Sequence, residues 1–109
     1  MDYHVRSTEQ NDPVEVLVNN AGVLDDTLVT FMTDEQWARV LEVNLTGAFL
    51  CSQHAARHMI DKGNGGRIIN IASVMSETIR EDNAPYAASK GAIRQLTKAL
   101  AVDWAKYRI

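Results

Sequence analysis

The sequence predicts an α/β fold built from a strand, a helix, a second strand and a second helix, in that order. Two short runs of apolar and β-branched residues, Val14 to Asn19 and Arg67 to Ala72, have the composition of strands buried on both faces. Helical patterns run from Thr33 to Lys62 and onward from Pro85. A long helix between two buried strands predicts a parallel pair with a right-handed crossover.

The boundaries of these elements follow from local signals. Residues 1–13 are polar, show no hydrophobic period and are expected to form a tail. Thr33 and Gln36 form a capping box, in which each side chain bonds the backbone amide of the other residue. Gly63 is expected to end the first helix in a left-handed conformation. Pro85 suits the first turn of the second helix.

Each helix shows an apolar face directed at a core. In the first helix this stripe consists of Trp37, Val40, Leu41, Ala48, Cys51 and Ala55. In the second helix the core face is expected at Ile93, Leu96, Leu100 and Trp104.

Composition and charge exclude several classes of protein. The chain has 109 residues, of which 46% are hydrophobic and 23% charged, the usual balance of one globular domain. Its net charge is -3 and basic residues do not cluster, which argues against nucleic acid as a partner. No apolar run approaches the ~20 residues of a membrane span. The single Cys51 and the polar first residues favour a reducing, cytoplasmic location.

Candidate site residues follow the two strands, because ligands of open parallel sheets bind beyond the carboxyl ends of the strands. The first strand ends in Asn19-Asn20-Ala21-Gly22, whose small residues permit close approach of a flat ligand. The second strand leads to Ser73. Each of these segments is also compatible with an ordinary turn, and a lone serine after a strand is more often a turn residue.

Asn44 is a polar residue on the apolar stripe of the first helix. A buried amide without partners costs on the order of 1–3 kcal/mol, so it must find hydrogen bonds. Asn44, Thr46 and Gly47 are weak helix formers in the middle of a helix. Two interpretations stay open: a core asparagine bonded to nearby backbone, or a bend that turns a polar group towards a site.

Tyr86 and Lys90 are four positions apart on the second helix and therefore share a face. That face continues to Ile93, which is directed inward. A cation near a phenol stabilises its phenolate, which makes tyrosine usable as a proton donor and acceptor near neutral pH. A Tyr-x-x-x-Lys spacing alone also occurs by chance in many helices.

The combination of motifs is far more specific than any one of them. Asn-Asn-Ala-Gly after a strand, Asn44-Leu45-Thr46-Gly47 within a helix, Ser73, and Tyr86-Ala87-Ala88-Ser89-Lys90 occur in this order. In these motifs the chain resembles the classical short-chain dehydrogenase/reductase family, over about residues 14–109. Within the family it is most similar to 3-oxoacyl-acyl-carrier-protein reductases and to gluconate or other sugar-type dehydrogenases.

The resemblance implies a Rossmann-like, doubly wound parallel sheet, of which this chain is a βαβα fragment, and a role for each motif residue. Tyr86 matches the catalytic acid and base, and Ser73 the hydroxyl that holds the reacting oxygen. Lys90 matches the cation that supports the tyrosine and bonds the nicotinamide ribose. Asn44 matches the residue that holds a water in the proton relay. Residues that match the cofactor-lining turn are Asn19, Ala21 and Gly22, beside Tyr86 and Lys90.

The chain departs from the family pattern at both ends. Its six glycines cannot be arranged as the Gly-x-Gly-x-x-Gly turn with which the family's amino-terminal half cradles the pyrophosphate. Residues 14–109 are therefore expected to be a central catalytic segment that lacks this half and the carboxyl-terminal strands. The resemblance implies NAD or NADP as cofactor, and the residue that chooses between them is not among the motifs present.

The implied activity is the interconversion of a ketone and a secondary alcohol by hydride transfer. Two alternatives stay open: a truncated non-catalytic fragment, and a dinucleotide-binding sensor-type relative, against which the complete motif set argues. The expected partners are a small carbonyl or alcohol substrate and further copies of the chain, because the two long helices form subunit contacts in the family. No metal site is expected, since His54 and His58 are four positions apart but have no third ligand.

Overall fold

The computed structural model describes residues 14–73 and 81–109, which form the predicted order of elements. Two parallel strands lie in register, β1 (Val16–Asn19) and β2 (Arg67–Asn70). The helices are α1 (Asp34–Leu41), α2 (Gly47–Lys62) and α3 (Ala84–Trp104), with 3-10 turns at Val29–Phe31 and Ala105–Tyr107. The predicted α/β fold with a parallel strand pair is confirmed.

The ends of the first long helix form as the local signals predict. The Thr33 hydroxyl accepts a hydrogen bond from the Gln36 amide at 3.2 Å, and the Gln36 side chain accepts one from the Thr33 amide at 2.8 Å. This capping box starts α1 at Asp34. At the far end, Gly63 adopts φ 71° and caps α2 in the left-handed conformation.

The single helix predicted from Thr33 to Lys62 contains one wider turn. Glu42–Thr46 form a π-helical segment between α1 and α2. A π turn holds one residue more than an α turn, so it rotates the side chains that follow it. The weak helix formers around Asn44 thus form a π turn, and the buried Asn44 within it bonds the Val23 backbone, so features of both open interpretations are present.

Both strands are two residues shorter than predicted. Val14 precedes β1 and instead joins a core cluster with Ala55 and Met59. Beyond β2, the carbonyl oxygen of Ile71 accepts a hydrogen bond from the side chain of Lys90 at 2.9 Å. β2 ends at Asn70, although the Ile71 amide still donates to the Asn19 carbonyl at 3.2 Å.

The prediction that both strands are buried on both faces is wrong for the described residues. Helices α2 and α3 cover the same face of the sheet, where Leu17 and Ile68 pack against the core cluster. Val16, Val18 and Ile69 point to the other face and are 53%, 52% and 47% exposed. Apolar strand composition predicts two covered faces, but the described helices cover only one face of this sheet.

The predicted apolar stripes are partly confirmed. Val40, Ala48, Ala55 and Ile93 are buried, whereas Trp37 is 42% exposed. Trp37 lies in the first turn of α1. Within residues 14–73 and 81–109, none of the helices combines the length and apolarity that crossing a bilayer requires.

Candidate active site at the carboxyl edge of the sheet

Lys90 brings a positive charge to the carboxyl edge of the sheet. Its side chain starts in the second turn of α3 and is only 6% exposed. The ammonium donates to the carbonyl oxygen of Ile71, the residue that follows β2. A buried ammonium is stable only when oxygen atoms replace its lost water, so this bond fixes where the charge lies.

Tyr86 lies beside this ammonium. The Lys90 nitrogen is 5.9 Å from the centre of the Tyr86 ring, within the range of a cation–π contact. The two side chains share one face of α3, and Tyr86 is half-buried in its first turn. The pair therefore lies at the ligand-binding edge of the parallel sheet.

Asn44 holds the loop that follows β1 against this edge. It is 2% exposed. Its Oδ1 accepts from the Val23 amide at 2.8 Å, and its Nδ2 donates to the Val23 carbonyl at 3.0 Å. Nδ2 also donates to the Ser89 hydroxyl at 3.2 Å, and that hydroxyl donates to the Tyr86 carbonyl at 2.8 Å. The Asn44 amide thus connects the β1 loop to the helix turn that carries Tyr86.

Gly22 lies between Asn44 and Lys90. A Cβ placed on Gly22 would be 3.6 Å from Asn44 Oδ1 and 3.7 Å from the Lys90 nitrogen. Gly22 and its neighbour Ala21 are exposed. The backbone of this turn therefore lies next to the ammonium with a surface open to a ligand, and a side chain larger than that of alanine would enter this space.

The side chain of Asn19 forms hydrogen bonds within the fold. Its Nδ2 donates to Asn70 Oδ1 at 2.8 Å, to the Ser52 hydroxyl at 3.0 Å and to the Ala48 carbonyl at 3.4 Å. These bonds join the last residues of both strands to α2. Asn19 therefore fixes the position of the turn at residues 20–22, and its side-chain amide is turned towards the helix.

Ser73 follows β2 at the same edge and is half-buried. The resemblance predicts that the loop after Ser73 borders the substrate, where Glu77 and Arg80 could touch it, and a solvated charged loop is an equally good interpretation. Both residues lie outside the described part of the chain. The structure thus brings Asn44, Tyr86, Lys90 and Gly22 together, and places Ser73 on the strand end that leads into this region.

Sequence reasoning did not identify Ser89 as a site residue. Its side chain is fully buried. The Ser89 hydroxyl accepts a hydrogen bond from Asn44 Nδ2 and donates one to the Tyr86 carbonyl, which connects Asn44 to the backbone of Tyr86. A signal was present, because a serine three positions after Tyr86 lies on the inner side of the same helix. Its partner Asn44 is 45 residues away in sequence, so no local pattern could pair them.

The described residues offer no alternative metal centre. Within them, no three histidine, cysteine, aspartate or glutamate side chains converge as ligands. The described residues at the edge supply a phenol beside an ammonium, the hydroxyl of Ser73, and exposed backbone at Ala21 and Gly22.

Comparisons with known proteins agree with this geometry. The 5-keto-D-gluconate 5-reductase of Escherichia coli K12 is 43% identical over 97 residues, which cover 89% of this chain and 38% of the reductase. Acetoin dehydrogenase YohF of Salmonella typhimurium superposes with a TM-score of 0.87 at 43% identity, covering 91% of this chain and 39% of that one. A gluconate 5-dehydrogenase of Burkholderia cenocepacia J2315, solved in complex with NADP and tartrate, superposes with a TM-score of 0.86 at 45% identity. The match covers 91% of this chain and 38% of that one.

The chain spans about two fifths of the length of these relatives. The family model described as short chain dehydrogenase matches residues 2–109, nearly the whole chain. This chain therefore belongs to the short-chain dehydrogenase family.

Proposed function

We propose that this chain carries the proton-transfer groups of an NAD(P)-dependent oxidoreductase that interconverts a ketone and a secondary alcohol. The observation that carries the proposal is the Lys90 ammonium, buried at the carboxyl edge of the sheet beside Tyr86 and Gly22. A buried lysine held in this position needs a functional reason, because an apolar side chain would cost less to bury. Named relatives that act on 5-keto-D-gluconate and acetoin support ketone and alcohol chemistry.

A nicotinamide cofactor, NAD or NADP, fits the residues present at this edge. Ala21 and Gly22 are small and exposed, so a flat group can lie against their backbone. The adjacent Lys90 ammonium can donate to a ribose hydroxyl. When bound, the cofactor supplies or accepts the hydride. Asn19 contributes by holding the turn, since its own amide is bonded to β2 and α2.

The protein's part of the reaction is to hold one oxygen and move one proton. In the reductive direction, Tyr86 donates its hydroxyl proton to the carbonyl oxygen as the carbonyl carbon gains a hydride, which yields the alcohol. Ser73 donates a hydrogen bond to the same oxygen and fixes its position. Lys90 stabilises the negative charge left on Tyr86. In the oxidative direction the same proton returns to Tyr86.

Asn44 is proposed to support proton return through a water beside Lys90. Its Oδ1 and the Lys90 nitrogen both lie within 4 Å of the Cβ position of Gly22, so they face the same small region. The Asn44 amide also holds Val23, which fixes the Gly22 turn against the ammonium. Asn44 therefore acts as a positioning residue as well.

A chimera tests this function directly. In it, the aligned 97-residue segment of the E. coli 5-keto-D-gluconate 5-reductase is replaced by the corresponding residues of this chain. We expect the chimera to oxidise or reduce a nicotinamide cofactor with a ketone or secondary alcohol, measured by absorbance over a panel that includes 5-ketogluconate and acetoin. A folded chimera that binds the cofactor but turns over no member of the panel would contradict the proposal.

The 109-residue chain alone is the matched comparison. It contains no Gly-x-Gly-x-x-Gly turn to hold a pyrophosphate, so we expect weak dinucleotide binding and little turnover. Calorimetry should give a dissociation constant well above the micromolar range for NAD and NADP. Micromolar binding would mean that the chain holds the phosphates by other residues.

Self-association of the isolated chain is a further part of the proposal. Among residues 14–73 and 81–109, no strand pairs with the outer edge of β1, and Val16, Val18 and Ile69 are exposed beside it. Unpaired strand edges and apolar sheet faces both favour association. We expect Val18→Lys to reduce the mass measured by light scattering, whereas Asn64→Lys, which adds the same charge at an exposed turn, should not. A monomeric parent chain at high concentration would contradict this.

The proposal retains a reducing, cytoplasmic location. Cys51 is a free cysteine on α2, and burial raises the pKa of its thiol. A raised pKa keeps the sulfur protonated and slow to oxidise, as suits a packing residue.

A further inference from the structure

Ser89 carries a buried hydroxyl that has no step in the proposed reaction. The residue lies in the second turn of α3 and is fully buried. Its hydroxyl donates to the Tyr86 carbonyl at 2.8 Å and accepts from Asn44 Nδ2 at 3.2 Å. A hydroxyl has a single proton to donate, so the bond to Tyr86 leaves its oxygen as the acceptor for Asn44.

The turn of α3 that carries Tyr86 starts without the kind of cap that starts α1. Asn83, the residue before this helix, makes no capping bond with its side chain, and its Nδ2 donates to the Asp26 carboxylate instead. Helix ends fray, because the amides of the first turn have no partners within the helix. A bond that holds the Tyr86 carbonyl therefore restricts the residue whose hydroxyl has to reach the substrate.

The bond from Ser89 to Tyr86 is more than a contact within one helix. A serine that donates to a carbonyl of the preceding turn is common, and by itself it holds its own helix only. Here the same hydroxyl is bonded to Asn44, which is 2% exposed and makes two bonds to the Val23 backbone. The Tyr86 backbone is thereby connected to the loop after β1, directly beside Gly22.

We propose that Ser89 is a positioning residue for proton transfer, which holds the backbone of Tyr86 to the loop after β1. The inference rests on the proposed function and adds to it the group that sets where Tyr86 lies relative to the cofactor turn. The loss of one hydrogen bond of ordinary strength corresponds to about a fivefold change in rate. Contacts to substrate and cofactor do not involve Ser89, so the loss should appear in kcat.

A double-mutant cycle in the chimera tests whether Ser89 acts through the Tyr86 hydroxyl. Ser89→Ala is expected to lower kcat about fivefold and to leave KM within about twofold of the parent. In the Tyr86→Phe background the same change should lower the remaining kcat by less than about twofold, because no hydroxyl is left to position. An equal loss in both backgrounds would mean that Ser89 has a structural role only, and would overturn the proposal.

Thr97→Val is the matched control for Ser89→Ala. Thr97 also lies on α3, where its hydroxyl donates to the Ile93 carbonyl at 2.7 Å and accepts from Asn70 Nδ2 at 2.9 Å. It repeats the bonding pattern of Ser89 two turns further along the helix, away from Tyr86. We expect kcat of this variant to stay within about twofold of the parent. A loss as large as that of Ser89→Ala would also overturn the proposal.

Hydrogen exchange of the Val23 amide tests the connection without any turnover. Asn44 Oδ1 accepts from this amide, so loosening Asn44 should expose it more often. In the 109-residue chain, Ser89→Ala is expected to speed this exchange about fivefold, and Thr97→Val should leave it unchanged. Unchanged exchange in Ser89→Ala would overturn the proposal even if the chimera is active. An inactive chimera would overturn the proposed function, and the exchange rate then decides whether Ser89 holds Tyr86 to the loop after β1.

Discussion

Replacing Tyr86 by phenylalanine in the chimera is expected to lower kcat/KM by about 10²- to 10⁴-fold. The change removes one hydroxyl and leaves the ring that contacts Lys90. Because the proton donor is lost while the aromatic packing stays, the fold and cofactor binding should be retained. Steady-state kinetics in both directions measure the effect, and circular dichroism checks the fold.

Tyr107→Phe is the matched control for this variant. Tyr107 lies in the last 3-10 turn, is 37% exposed and is far along the chain from the carboxyl edge of the sheet. Removal of its hydroxyl should leave kcat/KM within about twofold of the parent, as for other surface changes. If Tyr86→Phe keeps turnover within about tenfold of the parent, Tyr86 is not the acid and base of this protein.

Much of the fold could be predicted because its signals are local. The capping box needs only Thr33 and Gln36, and the left-handed end of α2 needs only Gly63. The parallel pair followed from two apolar strands and the long helix between them. What covers each face of a sheet depends on distant parts of the chain, so the exposure of Val16 and Val18 could not be read from their own sequence.

The same distinction applies to the candidate site. Tyr86 and Lys90 are neighbours by helical spacing, and the rule for parallel sheets predicts their edge. Asn44 could be recognised as a polar residue in an apolar stripe, but its partners could not. They are 21 and 45 residues away in sequence, and a π turn directs the side chain towards them. Local patterns identify such a residue and do not identify its hydrogen bonds.

Asn44→Leu is expected to lower the free energy of unfolding by about 2–4 kcal/mol. The change keeps the size of the side chain and removes its three hydrogen bonds, two to the Val23 backbone and one to Ser89. Burial is nearly complete, so water cannot replace these bonds without opening the helix contact. Urea unfolding of the chimera, followed by circular dichroism, measures the loss.

Two further variants show whether the loss comes from these bonds. Asn64→Leu removes an exposed asparagine from the turn after α2 and should change stability by at most about 0.5 kcal/mol. Ser89→Ala combined with Asn44→Leu should cost less than the sum of the single changes, by about 1 kcal/mol, because both remove the same bond. Strict additivity, or a loss below about 1 kcal/mol for Asn44→Leu, would mean that Asn44 does not hold the β1 loop to α3.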